Sequence, residues 1–352
     1  MNKLRTNDLT IKDIARLAGV SHSTVSRALN DSPLISGETK EKIKAIAESI
    51  QFEFHTGARS LSSNRRGIIG VIYHSGLESF DTSLYTNQLF LDLRHGLESI
   101  SLDAILLQPY NPMTGNSNIA RLIRQKKVDG FLVVDQTISR EEYEFIKRND
   151  LPVVQLHMGL CYFPVDSLDH FLTDNVAGGD IACSHLVDSG CRRIATLTSN
   201  PEQVIGCEFR DRLEGYSRAL ERGGIAYDPD LVFDVGPCSC EAGYSFVIEH
   251  ADLMREVDGL FAQADIVAFG CITALKELGV AVPGDVKVVG YDDCSICNLI
   301  RPAISTVHQR REELVRMACE RLHSLLEGAG GPMSHVMLPP ALVVRGSSDP
   351  SK

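Results

Sequence analysis

The residues near the start of the chain best suited to chemistry are four hydroxyl or imidazole side chains and one guanidinium. They are Ser21, His22, Ser23, Thr24 and Arg27, inside the string TIKDIARLAGVSHSTVSRALN. A guanidinium can bond two acceptors on the major-groove edge of guanine, the commonest base-specific contact. Serine and threonine hydroxyls suit phosphate oxygens, which fix register without reading sequence. An element must offer all five side chains together, and the flanking residues supply one. Thr10 and Asp13 have capping-box spacing. Ile14, Leu17 and Ala18 follow at helical intervals and are expected inward, and Gly19 breaks the helix. Ser21 caps a second helix anchored by Val20, Val25 and Leu29, with the small Ala15 where the two helices cross. Asn30 to Pro33 form a turn, and Ser36 caps a third helix with Ile43, Ile46, Ala47 and Ile50 inward. Such a unit lays the start of its second helix in the major groove, with His22, Ser23 and Arg27 toward base edges and Ser21 and Thr24 toward phosphates.

Sulfur is the second reactive set. Cys238-Ser239-Cys240 and Cys294-Ser295-Ile296-Cys297 are expected in loops that both border one cleft. Four thiolates can close a zinc tetrahedron, and low-pKa thiols can form a redox pair. The spacings are one C-x-C and one C-x-x-C, not the two C-x-x-C pairs of a zinc ribbon, so the expectation is free thiols acting as small hydrophobic residues, with no metal and no cofactor. The ten cysteines run from Cys161 to Cys319, and the start MNKLRTNDLTIKD has no apolar signal segment, which favours free thiols in a cytoplasmic protein.

Behind the three helices, FEFHTGARSLSSNRR (52–66) is polar, basic and poor in core residues, and reads as a linker. From Gly67 onward apolar runs of strand length alternate with helical patterns. The strands are expected at 68–73, 103–108, 130–135, 152–157, 193–199, 259–262 and 286–293, with helices at 85–100, 117–127, 176–189, 211–223, 241–254 and 265–278. Such alternation predicts parallel sheets covered by helices on both faces. Two runs, about 67–160 and 190–290, predict two similar subdomains with a cleft at the carboxyl ends of their strands. Charge divides the same way. Residues 1–66 hold 11 Lys+Arg against 7 Asp+Glu, and the rest holds 24 against 39, a basic head on an acidic body. The absence of any apolar stretch of membrane-spanning length argues against a membrane partner.

Residues 10–66 resemble the head of the LacI/GalR family of transcriptional regulators. The matching residues are Thr10, Asp13, Ala15, Ala18-Gly19-Val20-Ser21, Thr24-Val25-Ser26-Arg27, Asn30 and Ile35-Ser36 through Thr39. The linker's Ala58-Arg59-Ser60-Leu61 looks like the family's hinge helix, and the resemblance implies that Leu61 wedges into the minor groove, as apolar residues do where DNA is kinked. A flexible linker is the alternative. Phe52-Glu53-Phe54-His55 departs from the family's Tyr-x-Pro-Asn. In the body, Val128-Asp129-Gly130, Asp174-Asn175, Arg212-Leu213-Glu214-Gly215, Val289-Gly290-Tyr291-Asp292-Asp293, Arg301-Pro302, Ser305-Thr306-Val307 and Leu342-Val343-Val344-Arg345 resemble family strings. The resemblance implies an α/β protein: a three-helix helix-turn-helix head at 1–56, a hinge at 57–66, a periplasmic-binding-protein-like body of two parallel-sheet subdomains at 67–347, interleaved near the C-terminus, and a tail at 348–352.

By the same resemblance Tyr85, His157, Arg212 and Asp292 are the candidate effector contacts. Asp292 follows the strand VKVVGY at its carboxyl end, where its carboxylate would accept hydrogen bonds from hydroxyl or NH groups, and Arg212 would donate them. The alternatives are a loop-fixing carboxylate for Asp292, a structural salt bridge for Arg212, core packing for Tyr85 and a satisfied structural histidine for His157. Family members often carry an acid at the position of His157, an Asn before Asp265 where this chain has Ala264, and an aromatic at Cys238. The expected function is a sequence-specific transcriptional regulator, a repressor, binding a near-palindromic DNA operator as a homodimer. A small polar effector, sugar or nucleoside-like, would control it. A transport-type solute-binding protein is the alternative, disfavoured by the DNA-binding head and the lack of an export signal. No phosphate loop, zinc-protease motif or nucleophile elbow supports an enzyme.

Overall fold

The computed structural model describes residues 10–29, 32, 34–50, 52, 65–73, 84–134, 138–157, 168–199, 207–349 and 351–352. Contacts divide the chain into two compact units, Met1–Gly67 and Ile68–Lys352.

Among the described residues of the first unit three helices form: α1 (Ile11–Ala18), α2 (His22–Leu29) and α3 (Gly37–Ser49). Thr10 donates to Asp13 Oδ2 from both its amide (3.0 Å) and its hydroxyl (2.8 Å), which closes the N-terminus of α1. Gly19 ends that helix in the left-handed region (φ 72°), where a side chain would be strained, and Val20 N donates back to Ala15 O. Ser21 Oγ then accepts from Thr24 N and caps α2. Ile14, Ala15, Ala18, Val25, Ala28, Ile43 and Ala47 make the small core, with Val20, Leu29, Ile46 and Ile50 packed around it. Leu17 departs from expectation: it is 56% exposed. Ile14 and Ala18 already fill the buried stripe of α1, and Leu17 falls beside it.

The second unit has two lobes of the same wiring. Lobe 1 contains β1 (Ile68–Ile72), α4 (Leu84–Ser99), β2 (Asp103–Leu107), α5 (Asn118–Arg124), β3 (Gly130–Val133), α6 (Arg140–Arg148), β4 (Val153–His157) and β5 (Asp169–Thr173). Lobe 2 contains α7 (Asn175–Asp188), β6 (Ile194–Thr198), α8 (Cys207–Arg222), β7 (Val232–Asp234), α9 (Cys240–Glu249), β8 (Gly259–Ala262), α10 (Asp265–Glu277), β9 (Lys287–Tyr291) and β10 (Ser305–His308). The chain then crosses back: α11 (Arg311–Leu326) and β11 (His335–Leu338) join lobe 1, and β12 (Ala341–Val343) returns to lobe 2. The sheets run β11-β5-β4-β3-β1-β2 and β12-β10-β9-β8-β6-β7. All pairs are parallel except β10 with β12.

Each sheet reverses its order once, between β1 and β3 and between β6 and β8, which opens a crevice beyond the carboxyl ends of its strands. Three crossings join the lobes, near residues 174, 309 and 340. Thr173 Oγ1 donates to Gln309 O (3.3 Å) and Asp174 N donates to Leu338 O (3.0 Å), so the crossings are bonded to one another. Ser347 and Ser348 are bonded into lobe 2: Val288 N donates to Ser347 O, and the buried Ser348 hydroxyl bonds His185 and Ser305. Among the described residues no helix is long and apolar enough to cross a membrane.

Candidate functional site

Two surfaces concentrate the candidate residues, one on each unit. On the head, α2 begins at His22, and Ser21, His22, Ser23 and Arg27 line one side while Val25 and Ala28 hold the opposite side in the core. Thr24 is half-buried, and its hydroxyl lies 2.8 Å from Ser21 Oγ, which also lies 2.8 Å from Ser23 Oγ. Ser21 Oγ thus accepts from the cap amide and shares hydrogen bonds with two neighbouring hydroxyls. Arg27 ends the row one turn along. The face is a row of donors on a helix start, where the backbone's positive end also favours an anion. Leu61 lies outside the described residues.

On the body, Tyr85, His157, Arg212 and Asp292 come together where carboxyl ends of both sheets face one another. Tyr85 begins α4, His157 ends β4, Arg212 sits on α8 after β6, and Asp292 follows β9. The rings of Tyr85 and His157 are 4.5 Å apart. Burial first, then the guanidinium charges of Arg212 and Arg311, push His157 down to about 3, so the imidazole is neutral. Burial and the charge of Asp292 drive the Tyr85 hydroxyl far above its ordinary range. Burial raises Asp292 too, against the opposing pull of Arg212 and the Gln309 amide.

Arg212 is placed by helix packing. A Cβ at Gly179 on α7 would lie 2.0 Å from Arg212 O, and one at Gly215 would lie 2.1 Å from Val176 O, so both glycines are needed for α7 and α8 to touch through their backbones. The Arg212 side chain, 3% exposed, then donates from Nε to Asn175 Oδ1 (3.0 Å) and from Nη1 to Gln263 O (2.6 Å), with its guanidinium 3.7 Å from the Tyr291 ring centre. None of these partners is an acid; the expected alternative of a structural salt bridge is replaced by neutral acceptors and a ring.

Structure also adds residues that sequence reading passed over. Gln309 Nε2 donates to Asp292 Oδ1 (2.6 Å), while Gln309 Oε1 is buried with no partner among the described residues. Tyr85 Oη, His157 Nδ1, Thr198 Oγ1 and Gln263 Oε1 share that condition. Buried polar atoms are nearly always bonded in a folded protein, so a group of orphans at strand ends indicates a ligand that satisfies them. Thr198, Gln263 and Gln309 each stand at or just past a strand's carboxyl end, and that position was the available signal. His157 (φ 74°) and Asp292 (φ 117°) are also left-handed without being glycine, the kind of strain that ligand sites hold.

The cysteine expectation is corrected in part. Cys238 and Cys294 border the cleft and feel the charge of Asp292, but Cys240 and Cys297 pack into the lobe 2 core. Burial pushes the Cys238 thiol up to about 12 and those of Cys294 and Cys297 higher still. Among the described residues no group of three or more His, Cys, Asp or Glu could hold a metal.

Comparison with known proteins finds a family model within each unit. Residues 10–53 match a family model described as "Bacterial regulatory proteins, lacI family", and residues 183–348 match one described as "Periplasmic binding protein-like domain". A relative in Photobacterium profundum, the HTH-type transcriptional repressor PurR, is 28% identical over 96% of this chain and 98% of its own. The ribose operon repressor of Escherichia coli (strain K12) is 29% identical over 96% and 99%. Among solved structures, a complex of the transcriptional regulator CelR with cellobiose aligns with TM-score 0.69 at 26% identity, covering 96% of this chain and 99% of that one. The operator-bound lac repressor dimer shares the fold, with TM-score 0.73 at 22% identity over 97% of this chain and 99% of that one.

Proposed function

From the premise that this chain belongs to the LacI family of bacterial regulatory proteins, we propose that it is a cytoplasmic repressor whose affinity for DNA is set by a small polar molecule held between the lobes of its body. One observation carries the reading: a recognition-helix face and a ligand-type cleft with five orphaned buried polar atoms occur in one chain. The head supplies Ser21, His22, Ser23, Thr24 and Arg27, with Arg27 reading guanine and the two flanking hydroxyls, Ser21 and Thr24, contacting phosphates. Leu61 acts as the minor-groove wedge.

In the cleft, Asp292 and Gln309 accept from the ligand, Tyr85 and His157 offer a ring platform with one polar atom each, and Arg212 donates from its remaining N–H groups. A hydroxyl-rich or nucleoside-like molecule matches this set. Because Asp292 and Arg212 belong to lobe 2 and Tyr85 and His157 to lobe 1, a ligand touching all four favours one lobe arrangement. It can shift DNA binding only by its difference in affinity for the two states. A coupling of about 1–3 kcal/mol gives about 5–150-fold regulation.

The regulator acts as a homodimer on a near-palindromic operator, since one helix-turn-helix reads too few base pairs alone. Lobe 1 offers a face for the second copy. Its edge strand β2 and helix α4 expose Leu106 and Leu91, about half accessible each, beside a groove of about 510 Å³ lined also by Phe90, Ala104, Arg94 and Glu98. The opposite charges of Arg94 and Glu98 can pair with their counterparts across a two-fold axis. Light scattering of the full chain with and without operator tests this: a dimer is expected, and a stable monomer bound to DNA overturns it.

A further inference from the structure

The turn that carries Asp292 is held by more than its own backbone. Asp292 and Asp293 are consecutive left-handed residues (φ 117° and 53°), a strained pair that needs outside support. Asp292 N donates to Val307 O, Asp293 N to Thr306 Oγ1 (3.2 Å), and Cys294 N to Asp265 Oδ2 (2.7 Å). The Asp293 carboxylate receives Arg345 Nη2 at 2.7 Å on Oδ1, and His308 Nδ1 lies 3.1 Å from Oδ2, an ion-pair distance without hydrogen-bond geometry. His308 is the last residue of β10, directly before a crossing between lobes. Its other nitrogen, Nε2, lies 3.9 Å from Glu312 Oε2, in the first turn of α11. From there Arg311 Nη2 donates to Glu312 Oε1 (2.8 Å), and Arg311 Nε bonds Asp92 on α4 in lobe 1.

These contacts form a continuous line of charge: Arg345, Asp293, His308, Glu312, Arg311, Asp92. It starts beside the effector carboxylate in lobe 2 and ends on a lobe 1 helix. Among the side-chain types in this line only histidine has an ordinary pKa inside the neutral range. We propose that His308 is a positioning residue that, when protonated, ties the Asp292–Asp293 turn to α11 and so favours the lobe arrangement described here, making that arrangement proton-dependent.

The groups facing His308 agree with this. Asp293 from the β9 loop and Glu312 from α11 attract the imidazolium, and Arg311 from α11 opposes it. The close pairing with Asp293 acts first, and the sum raises the histidine above its ordinary value against the cost of burial. A histidine raised in this way contributes stability that is complete below its ordinary value of about 6.5 and lost as pH rises through the raised one. Neutral His308 keeps at most one of its two links. The inference rests on the cleft assigned above, because the turn matters to regulation only if Asp292 meets the effector.

Its test needs neither DNA nor ligand, so its failure would leave the regulator reading standing. Spin labels on ketone-bearing residues placed at exposed Arg148 (α6, lobe 1) and Glu221 (α8, lobe 2) of the full chain report the interlobe distance without using the cysteines. Between pH 6 and pH 9 the wild type is expected to shift its distance populations by about tenfold for each unit by which the two arrangements differ in histidine pKa. His308→Gln should lose the shift and match the wild type at pH 9. His308→Lys, always charged, should match the wild type at pH 6 throughout. Wild-type distances independent of pH, or a His308→Gln protein with the wild-type response, would overturn the proposal.

Discussion

Truncating Arg212 separates a ligand contact from a structural one, because the structure gives that side chain neutral internal partners as well as a place in the cleft. In Arg212→Met, Gln263 O loses its 2.6 Å charged donor, while Asn175 Oδ1 keeps the Tyr291 hydroxyl at 3.1 Å. One buried acceptor left unpaired costs about 1–3 kcal/mol. Loss of the guanidinium over Tyr291, at 3.7 Å and out of water, adds about 1–2 kcal/mol. Methionine fills most of the volume and no direct ion pair is broken, while the buried Asp292 loses the guanidinium charge that opposes its upward shift and is protonated more readily. The body should therefore lose about 2–5 kcal/mol, a drop in Tm of about 2–4 °C for each kcal/mol in a unit of this size. Calorimetry of the full chain reads it, with far-UV circular dichroism to confirm the fold. Arg212→Lys should recover only part of the loss, since an ammonium cannot reach both acceptors in one plane. A methionine variant within about 0.5 kcal/mol of wild type, the ordinary scatter of surface changes, would refute the structural half of this account and leave Arg212 a ligand residue alone.

Other outcomes follow from the same geometry. Arg27→Ala should cost about 1–3 kcal/mol per half-site and relax discrimination at one base position, while random DNA is bound nearly as before; a salt-matched gel shift with unchanged operator affinity would show that α2 lies otherwise on DNA. Leu61→Ala should weaken operator binding far more than non-specific binding, and equal losses on both would mark a plain linker. Gly179→Ala should destabilise the body by more than about 3 kcal/mol, because the new Cβ meets backbone that cannot give way; a variant melting with the wild type would refute the close-packed α7–α8 contact. Asp265 and Asp292 are both raised, by burial first and for Asp265 then by Asp292. The folded state therefore holds protons that the unfolded state has lost, and the pair adds stability as pH falls through the raised values toward about 4. Asp292→Asn should flatten that part of the pH–stability curve, and denaturation curves parallel to wild type from pH 4 to 8 would contradict it.

The head was almost fully legible because its determinants are local. Capping by Thr10, Ser21 and Ser36, the left-handed Gly19 and the positions of Val25 and Ile43 are settled by neighbours within a few residues. Leu17 misled because helical spacing marks a stripe, and only packing decides how wide it is. In the body the strands through 68–72, 130–133, 153–157 and 259–262 announced themselves as continuous apolar runs, as strands buried on both faces do. Strands β5, β7, β10, β11 and β12 did not: DHFLT, STVH and HVML mix polar residues with apolar ones because they lie near sheet edges or crossings. Helices α6 and α11 carry charged faces that hid their apolar stripes. The interleaving of α11 and β11 into lobe 1 is a long-range pairing that no local pattern encodes. In the cleft, Tyr85, His157, Arg212 and Asp292 were found through resemblance, whereas Gln309 and Gln263 emerge only when unpaired atoms can be counted.

The central claim is that one chain couples a ligand in the cleft to DNA held by the head. The direct measurement is operator affinity with and without a ligand identified by thermal-shift screening, on an operator recovered by sequencing genomic fragments bound to the protein, for wild type and Asp292→Asn. The account predicts that ligand changes wild-type affinity by about 5–150-fold, and that Asp292→Asn binds the operator equally well but no longer responds. An Asp292→Asn protein with unchanged ligand affinity and an unchanged response would contradict it.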